Sequence, residues 1–268
     1  MTELVFQKKP HWLLSINDSL LMIKRSSRHI IRNKDQLLGA FFQPIMFILL
    51  FSAVFGGAIS KSLPAGESYL NFLMAGIIIQ TVAFGSTTTA IAVCNDMQKG
   101  IIDRFKSLPM SSIAVLNGHV VSDLFRNAIS TTVMLVVGFI IGFRPDASPI
   151  EWLQIVGLLV LFTFAFSWLA AIVGLIAKSV EAVQWLTFVM VFPLTFASGA
   201  FAPPDTFPHY LRVFAVNQPI TQVIDAVRAL MLGKPTGNHI RLTLIWSAAI
   251  LVVAIPLSAI LFRRKTSN

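Results

Sequence analysis

The residue types that carry out catalysis or bind metals are present in this chain, but not at the spacings that such chemistry needs. Five histidines show no metal-ligand spacing, and no Gly-x-Ser-x-Gly nucleophile motif occurs. The string nearest to a phosphate-binding loop, GGAISKS at 56–62, lacks the second glycine. The histidines are His11, His29, His119, His209 and His239. We therefore predict no catalytic residue, no metal site and no cofactor in this chain, which is not expected to be an enzyme by itself.

A compact charged stretch, NDMQKGIIDRFKSLPMSS at 95–112, separates two very apolar regions. From Met97 onwards its apolar residues recur every three or four positions, which predicts an amphipathic helix of about three turns. Asn95 or Asp96 is placed to cap the start of this helix, and a proline stands near its end. Gly100 weakens such a helix by roughly 1 kcal/mol relative to Ala, so we expect the helix to pack against another surface.

The composition is that of a membrane protein, with 268 residues, 55% hydrophobic content, 12% charge and a mean hydropathy of +0.75. A helix needs roughly 20 apolar residues to cross a hydrocarbon layer of about 30 Å. Five uncharged windows are long enough, and the third becomes so when it is extended back to Val120. The windows are 36–60, 68–95, 127–143, 152–177, 182–204 and 242–262. We predict six transmembrane helices.

The extended third window takes in two charged residues, Asp123 and Arg126, which stand three apart and can face each other on a helix. We expect them near an interface, where long side chains reach lipid headgroups. The other five windows carry no charge between their ends. This pattern argues against an ion-driven carrier and against a channel filter made of charged rings.

The distribution of basic residues predicts the orientation. Six spans place both termini on one side, and with the termini in the cytoplasm fifteen Lys and Arg lie inside against six outside. The net charge of +9 is therefore interpreted as a topology signal and an attraction to anionic membrane lipids. Because the basic residues flank spans, nucleic acid is not an expected partner.

The N-terminal segment places apolar residues of 12–35 on one helical stripe, with most basic residues off it. This predicts an interfacial helix along the inner leaflet, and a simple basic anchor is the alternative. No secretory signal is recognised before the first span. We divide the chain into a cytoplasmic segment, 1–36, and a six-span transmembrane domain, 37–268.

The segment 201–241, predicted to lie outside, is more than a plain loop. It opens with Pro203 and Pro204, breaks at Asn217 to Pro219, and continues with one apolar helical face. Its uncharged part is too short to cross, so we expect a re-entrant or interfacial helical hairpin that caps the bundle, with a structural lid as the alternative. The predicted fold is all-α: a polytopic membrane protein with six spans, an N-terminal interfacial helix and an extracytoplasmic re-entrant hairpin before the last span.

Taken together, these features resemble the permease subunits of type-2 ABC exporters, and more closely the daunorubicin-resistance permease group. The resemblance covers about 13–262. QKGIIDRFKSLPMS at 98–111 is similar to the cytoplasmic loop of the group, and GFIIGFRP at 138–145 also matches its pattern. The most specific match is FPLTFASGAFAPPDTFPHYLRVFAVNQPITQVIDAVRAL at 192–230.

The resemblance implies that the stretch after span two is a coupling helix, which sits in a groove of a separate ABC ATPase subunit. Apolar residues would pack into the assembly and charged ones would make directional contacts, with the loop 178–184 as a second contact. The implied residues are Asp96, Met97, Lys99, Gly100, Ile101, Asp103, Arg104, Phe105, Lys178 and Glu181. The wider family often has Glu where this chain has Asp103. From the residues alone, a helix lying on the membrane remains the alternative.

The resemblance further implies a permease subunit of an ATP-driven exporter in the bacterial cytoplasmic (inner) membrane. It would move an amphipathic or hydrophobic compound, such as a drug, antibiotic or lipid, with ATP and Mg on the partner subunit. A second permease copy, in a homodimer or heterodimer, and membrane lipids are the other implied partners. The outer gate would comprise Pro203, Pro204, Asn217 and Pro219. The alternatives are an exporter of a lipid-linked glycan or polymer, which we disfavour because the 22 Phe look scattered among the spans, and a membrane facilitator not coupled to ATP.

Overall fold

The computed structural model describes residues 34–64, 67–99 and 112–267, and the regular elements in these ranges are all helices. The α-helices, numbered in chain order, are α1 (Lys34–Ile59), α2 (Tyr69–Gly85), α3 (Thr87–Gln98), α4 (Ser112–Ile141), α5 (Pro149–Ile176), α6 (Val180–Phe196), α7 (His209–Asn217), α8 (Pro219–Met231) and α9 (His239–Ser267). Short 3-10 turns occupy Ser60–Ser62 and Pro204–Thr206. The all-α prediction is confirmed for the described residues.

Five helical segments are long and apolar enough to cross a membrane. They are Phe42–Ser62, Tyr69–Gln98, Val115–Ile141, Pro149–Ile176 and His239–Lys265. The span predicted at 182–204 corresponds to α6, which is apolar but has only 17 residues and contains Pro193 in its last turn. The chain is therefore a multi-pass membrane protein whose described elements are all helices, and the count of six spans stays a prediction.

The second span is not one continuous helix, because it breaks at Ser86 between α2 and α3. The Ser86 hydroxyl donates to Ala83 O at 2.7 Å, and the Thr88 hydroxyl donates to Gly85 O at 3.0 Å. The Thr89 N–H bonds to Ser86 O at 3.0 Å, so the regular helical bond to Gly85 O is lost. The break leaves the Gly85 carbonyl available to other donors.

The helices form a bundle in which α5 packs most extensively against α9 and α3, while α2 packs against α1 and α8. Two glycines allow backbones to touch. A Cβ added at Gly76 would lie 2.2 Å from Ala200 O, and one added at Gly174 would lie 2.4 Å from Ala90 O. Close contact of this kind is typical of helix packing in membranes, where small residues let helices approach.

The bundle has two ends that differ in their connections. At the α3 end, the last turn of α3 meets the residues before α6, with Gln98 Nε2 donating to Lys178 O at 2.8 Å. At the α8 end, the N-terminus of α2 meets the segments around α8. There the Tyr69 hydroxyl donates to Phe201 O at 3.0 Å. The candidate sites below are located by these two ends.

Candidate functional site

Asp123 and Arg126 form an ion pair inside the bundle, at one turn's separation on α4. Their facing arrangement was predicted from their spacing and is confirmed. The expectation that their side chains reach lipid headgroups is wrong, because Asp123 is only 2% and Arg126 only 5% exposed. The physical reason is that α4 begins at Ser112 and carries the pair into the interior, where it packs against α2, α3 and α5.

Neighbouring groups satisfy this buried pair. The Ser167 hydroxyl of α5 donates to Asp123 Oδ2. Arg126 Nη2 donates both to Asp123 Oδ1 and to Gly85 O, the carbonyl that the helix break leaves available. A buried charge needs such compensation, since its transfer out of water is otherwise very costly. The pair therefore ties α4 and α5 to the point where the second span breaks.

A half-open cavity of about 190 Å³ lies beside this pair, between α1, the α2–α3 break and α4. Its walls combine uncharged polar side chains with two aromatic rings and the inner face of Arg126. The lining residues are Gln43, Pro44, Phe47, Gln80, Thr81, Phe84, Gly85, Thr88, Arg126, Asn127 and Ser130. We call this space the α1–α4 cavity. Its polar lining is unusual in a bundle whose interior is otherwise mainly apolar.

Most of the hydrogen bonds of this lining go to the backbone. The Thr81 hydroxyl donates to Ile77 O at 2.8 Å, and Asn127 Nδ2 donates to Asp123 O at 3.0 Å. Gln80 differs, since it is 4% exposed and its amide Nε2 has no hydrogen-bond partner among the described residues. The cavity thus contains a buried polar group with unused bonding capacity.

The cavity has the kind of lining that is typical of small-molecule binding pockets. The charge of Arg126 is balanced by Asp123, and the rest of the lining is uncharged. Pockets that bind small molecules combine apolar walls with a few well-placed polar groups, as this one does. Within the described ranges there is also no group of three or more His, Cys, Asp or Glu that could hold a metal ion.

A second pair with the same spacing, Asp225 and Arg228, lies on α8 and was not predicted from the sequence. Arg228 Nη1 donates to Asp225 at 2.8 Å, Nη2 to Gly199 O at 2.5 Å and Nε to Phe72 O at 3.0 Å. Its guanidinium also lies 3.7 Å from the centroid of the Phe72 ring. The signal that could have revealed it is the three-residue spacing within VIDAVRAL, the same as in SDLFRN.

The Arg228 guanidinium remains a cation at neutral pH. Burial lowers the pKa of Arg228 to about 10, and the neighbouring Asp225 carboxylate opposes that decrease. The charged side chain joins α8, the start of α2 and the turn after α6 at the α8 end.

The residues predicted to form an outer gate also lie at the α8 end. The break predicted at Asn217 to Pro219 is confirmed, since α7 ends at Asn217 and α8 begins at Pro219. Gln218, between the two helices, donates through Nε2 to Leu194 O and Ala197 O, both at 2.8 Å.

The two prolines 203 and 204 form the start of the 3-10 turn before α7. The gating role and the re-entrant position of this hairpin stay predictions.

The predicted coupling residues are described only in part. Asn95 and Asp96 lie in the last turn of α3, so the expectation that either caps a new helix is wrong: the helix that begins at Thr87 runs on to Gln98. Asp96 Oδ2 pairs with His119 Nε2 at 2.9 Å. The half-buried Met97 packs against an internal apolar cluster, and Lys99 is exposed. Gly100, Ile101, Asp103, Arg104 and Phe105 lie outside the described residues.

The second predicted contact, Lys178 and Glu181, lies at the same end of the bundle as the end of α3. Both side chains are exposed, and Lys178 O accepts the bond from Gln98. Hydrogen bonds from its own backbone N–H and from Ser179 lower the pKa of Glu181. The structure therefore brings the described members of both predicted contacts to the α3 end.

Six of the 22 phenylalanines and one tryptophan form a continuous series of ring contacts, which the sequence did not predict. The series runs along α6 from the α3 end, crosses to the turn after α6, and returns on α1 to the cavity wall. Successive ring centroids lie 4.2 to 6.2 Å apart. Its members are Trp185, Phe188, Phe192, Phe196, Phe201, Phe51 and Phe47. We call it the aromatic series.

Comparison with known proteins places this architecture in a family. Residues 18–232 match the ABC-2 type transporter family. The chain is 31% identical over 233 residues to a daunorubicin resistance ABC transporter permease protein of Streptomyces coeruleorubidus, covering 87% of this chain and 81% of the relative. It is 26% identical over 256 residues to a probable doxorubicin resistance ABC transporter permease protein of Mycobacterium tuberculosis, covering 95% and 91%.

Proposed function

Because this chain belongs to the ABC-2 type transporter family, we propose that it is the membrane permease subunit of an ATP-driven exporter of amphipathic or hydrophobic compounds. The observation that carries the proposal is the α1–α4 cavity, a small polar space with aromatic walls inside a bundle of apolar helices. The relatives' names refer to resistance to daunorubicin and doxorubicin. We propose a drug, antibiotic or lipid as the exported compound.

The energy for export comes, in this proposal, from ATP and Mg bound on a separate ABC ATPase subunit. ATP binding can shift the permease only through a different affinity of the assembly for its inward-open and outward-open states. The stretch 95–112 and the loop 178–184 transmit this difference. Their described residues lie together at the α3 end, which supports a single docking surface. Two permease copies, identical or related, would complete the transporter.

The proposed topology has six spans, both termini in the cytoplasm and a location in the bacterial inner membrane. The excess of Lys and Arg on the side of the α3 end supports this orientation. The helix break at Gln218 supports a re-entrant hairpin of α7 and α8 at the opposite end. In this arrangement the hairpin, with Asn217 and Pro219 at its break, acts as the outer gate.

The docking surface can be tested by co-purification of the permease with its ATPase. We expect Arg104→Ala and Phe105→Ala each to weaken association and to reduce the ATP hydrolysis that the permease stimulates, by about tenfold, as for other interface anchors. Arg212→Ala and Phe214→Ala, exposed on α7 near the opposite end, are matched controls for association and should leave it unchanged. Unchanged association and unchanged hydrolysis in the first two variants would refute the docking role of this stretch.

A second candidate function, export of a lipid-linked glycan or polymer, is favoured by the aromatic series. Sugar rings pack well on aromatic faces, and this series runs along α6 with several exposed rings. The two candidates differ in the effect of Phe188→Leu, which removes an exposed ring but keeps an apolar side chain. A loss of glycan export in that variant, with drug export unchanged, would favour the second candidate.

A further inference from the structure

Gln80 is the most unusual residue of the α1–α4 cavity. It lies in α2, more than one turn before the helix break, and lines the cavity together with residues of α1 and α4. Its side chain is almost entirely buried, and nothing in the described part of the chain accepts a hydrogen bond from its Nε2. A buried amide without a partner is costly, and native structures retain such groups rarely. Among the residues that line the cavity, Gln80 is the one whose side chain has such an atom.

A bound molecule that accepts a hydrogen bond would satisfy this amide. The other polar groups of the wall place further donors and acceptors around the same space, including the Thr88 hydroxyl and the Asn127 amide. Each of these two already donates a bond to the backbone, at 3.0 Å in both cases. They keep oxygen lone pairs with which to accept a bond from a ligand hydroxyl.

The charges of the site select a neutral ligand group. Arg126 lines the cavity, but its guanidinium is already paired with Asp123 and bonded to Gly85 O. A phosphate or carboxylate would have to compete with Asp123 for that cation, and would leave one anion uncompensated in a buried place. A hydroxyl or carbonyl carries no such cost.

The shape and the aromatic walls define the rest of the ligand. A volume of about 190 Å³ is smaller than the roughly 300 Å³ at which pockets that enclose whole drug-sized ligands begin, so the cavity would take one end of such a compound. The Phe47 and Phe84 rings line the same space. Phe47 continues into the aromatic series through Phe51, at a centroid distance of 5.6 Å. A ligand with an aromatic ring can therefore contact aromatic side chains inside the cavity and along the neighbouring aromatic series.

We propose that the α1–α4 cavity is a recognition subsite for the hydroxyl- or carbonyl-bearing end of an uncharged aromatic compound, and that Gln80 donates the hydrogen bond that selects it. The proposal rests on the proposed export function, because it names the part of the exported compound that is recognised. Gln80 is a specificity residue in this account, and Arg126 and Asp123 hold the wall in place.

The test measures binding to the purified full-length chain in lipid nanodiscs, without ATPase or nucleotide. The probes are a dihydroxyanthraquinone, anthracene as the ring system without oxygen, and an anthraquinone sulfonate as the anionic form, each corrected for uptake by empty nanodiscs. We expect the dihydroxyanthraquinone to bind most tightly. In Gln80→Met its affinity should fall about five- to tenfold, the usual value of one hydrogen bond, while binding of anthracene stays the same.

Two controls separate this role from a structural one. Gln154→Leu changes an exposed glutamine of α5 that does not line the cavity, and should leave binding of all probes unchanged. The ligand-free Gln80→Met chain should be at least as thermally stable as the native chain, because an amide without a partner has been removed. A clear loss of stability in Gln80→Met and in Gln80→Leu would overturn the proposal, since it would show that Gln80 serves the fold.

The remaining outcomes distinguish this proposal from the export function on which it rests. Equal binding of the dihydroxyanthraquinone by the native chain and Gln80→Met, or equal binding of the sulfonate and the neutral probe, would overturn the subsite and leave export untouched. Binding that depends on Gln80 in a chain that never exports with its ATPase would support the subsite and overturn the export function.

Discussion

The two Asp-Arg pairs, one on α4 and one on α8, share a spacing but differ in their surroundings. Each pair spans one helical turn, and each arginine donates to a backbone carbonyl of α2: Arg126 to Gly85 O and Arg228 to Phe72 O. Together they hold the two ends of the same helix. Arg228 is covered by an aromatic ring, whereas Arg126 lines an accessible cavity. The pair on α8 therefore stabilises the α8 end, whereas the pair on α4 stabilises the helix break and also lines the α1–α4 cavity.

The largest expected effect is that of Arg126→Leu. The variant leaves Asp123 as a charge without its cation in a buried place, which typically costs about 3–5 kcal/mol of the free energy of unfolding. The single cysteine, Cys94, is 1% exposed, so the temperature at which a thiol-reactive dye labels it measures unfolding directly.

Two controls make this prediction specific to the pair. The double variant Asp123→Asn, Arg126→Leu should recover much of the lost stability, because no lone charge remains. Arg241→Leu, at an exposed position of α9, should shift labelling of Cys94 very little. A labelling temperature in Arg126→Leu equal to that of the native chain would mean that the α4 pair is not essential to the fold.

A smaller effect is expected for Arg228→Leu. This variant removes three hydrogen-bonding contacts and the stacking on Phe72, but the Asp225 side chain is 24% exposed and can still be hydrated. We expect a loss of about 2–3 kcal/mol in the same labelling assay. A loss larger than that of Arg126→Leu would reverse the comparison between the two pairs.

The close approach at the helix break gives a third prediction. A Cβ added at Gly85 would lie 2.6 Å from Asn127 Oδ1, so Gly85→Ala must displace the wall of the cavity. We expect a loss of about 1–2 kcal/mol in stability together with weaker binding of neutral aromatic probes. Gly157→Ala is the matched control, because no described atom lies within 4 Å of the added Cβ. Equal behaviour of the two alanine variants would show that α4 does not need this close approach.

The smallest effect is expected for the pair between Asp96 and His119 at the α3 end. The two side chains share a single contact of 2.9 Å, whereas Arg228 makes three, and one hydrogen bond is typically worth about 0.5–1.5 kcal/mol. His119→Ala should therefore lower the labelling temperature of Cys94 only slightly. A decrease as large as that of Arg126→Leu would contradict this ranking. It would show that the α3 end depends on the Asp96–His119 pair as strongly as the bundle interior depends on the Asp123–Arg126 pair.

Much of the helical layout could be predicted from the sequence, because uncharged windows and prolines have direct structural consequences. The break at Asn217 to Pro219 is an example, since proline favours the first turn of a helix and disfavours helix in the residue before it. The break at Ser86 could not be predicted in the same way. It depends on hydroxyl groups that bond to nearby carbonyls, a choice that Ser and Thr make only in context.

The polar sites were harder to predict than the helices. Charges mark the ends of predicted spans, which is why Asp123 and Arg126 are expected near an interface, and the spacing of Asp225 and Arg228 alone does not predict that they pair. The burial and bonding of these side chains depend on tertiary partners: Ser167 and the Gly85 carbonyl for the first pair, and Gly199 O for the second. The isolation of the Gln80 amide likewise becomes visible only when three helices are packed around it.

The most direct test of the central claim is transport into sealed vesicles that contain the permease together with its ATPase. We predict that a neutral aromatic compound accumulates against its gradient only with ATP, and that accumulation stops when the ATPase is replaced by a hydrolysis-deficient variant. Uphill accumulation in vesicles that contain the permease alone would contradict the claim that a separate subunit supplies the energy.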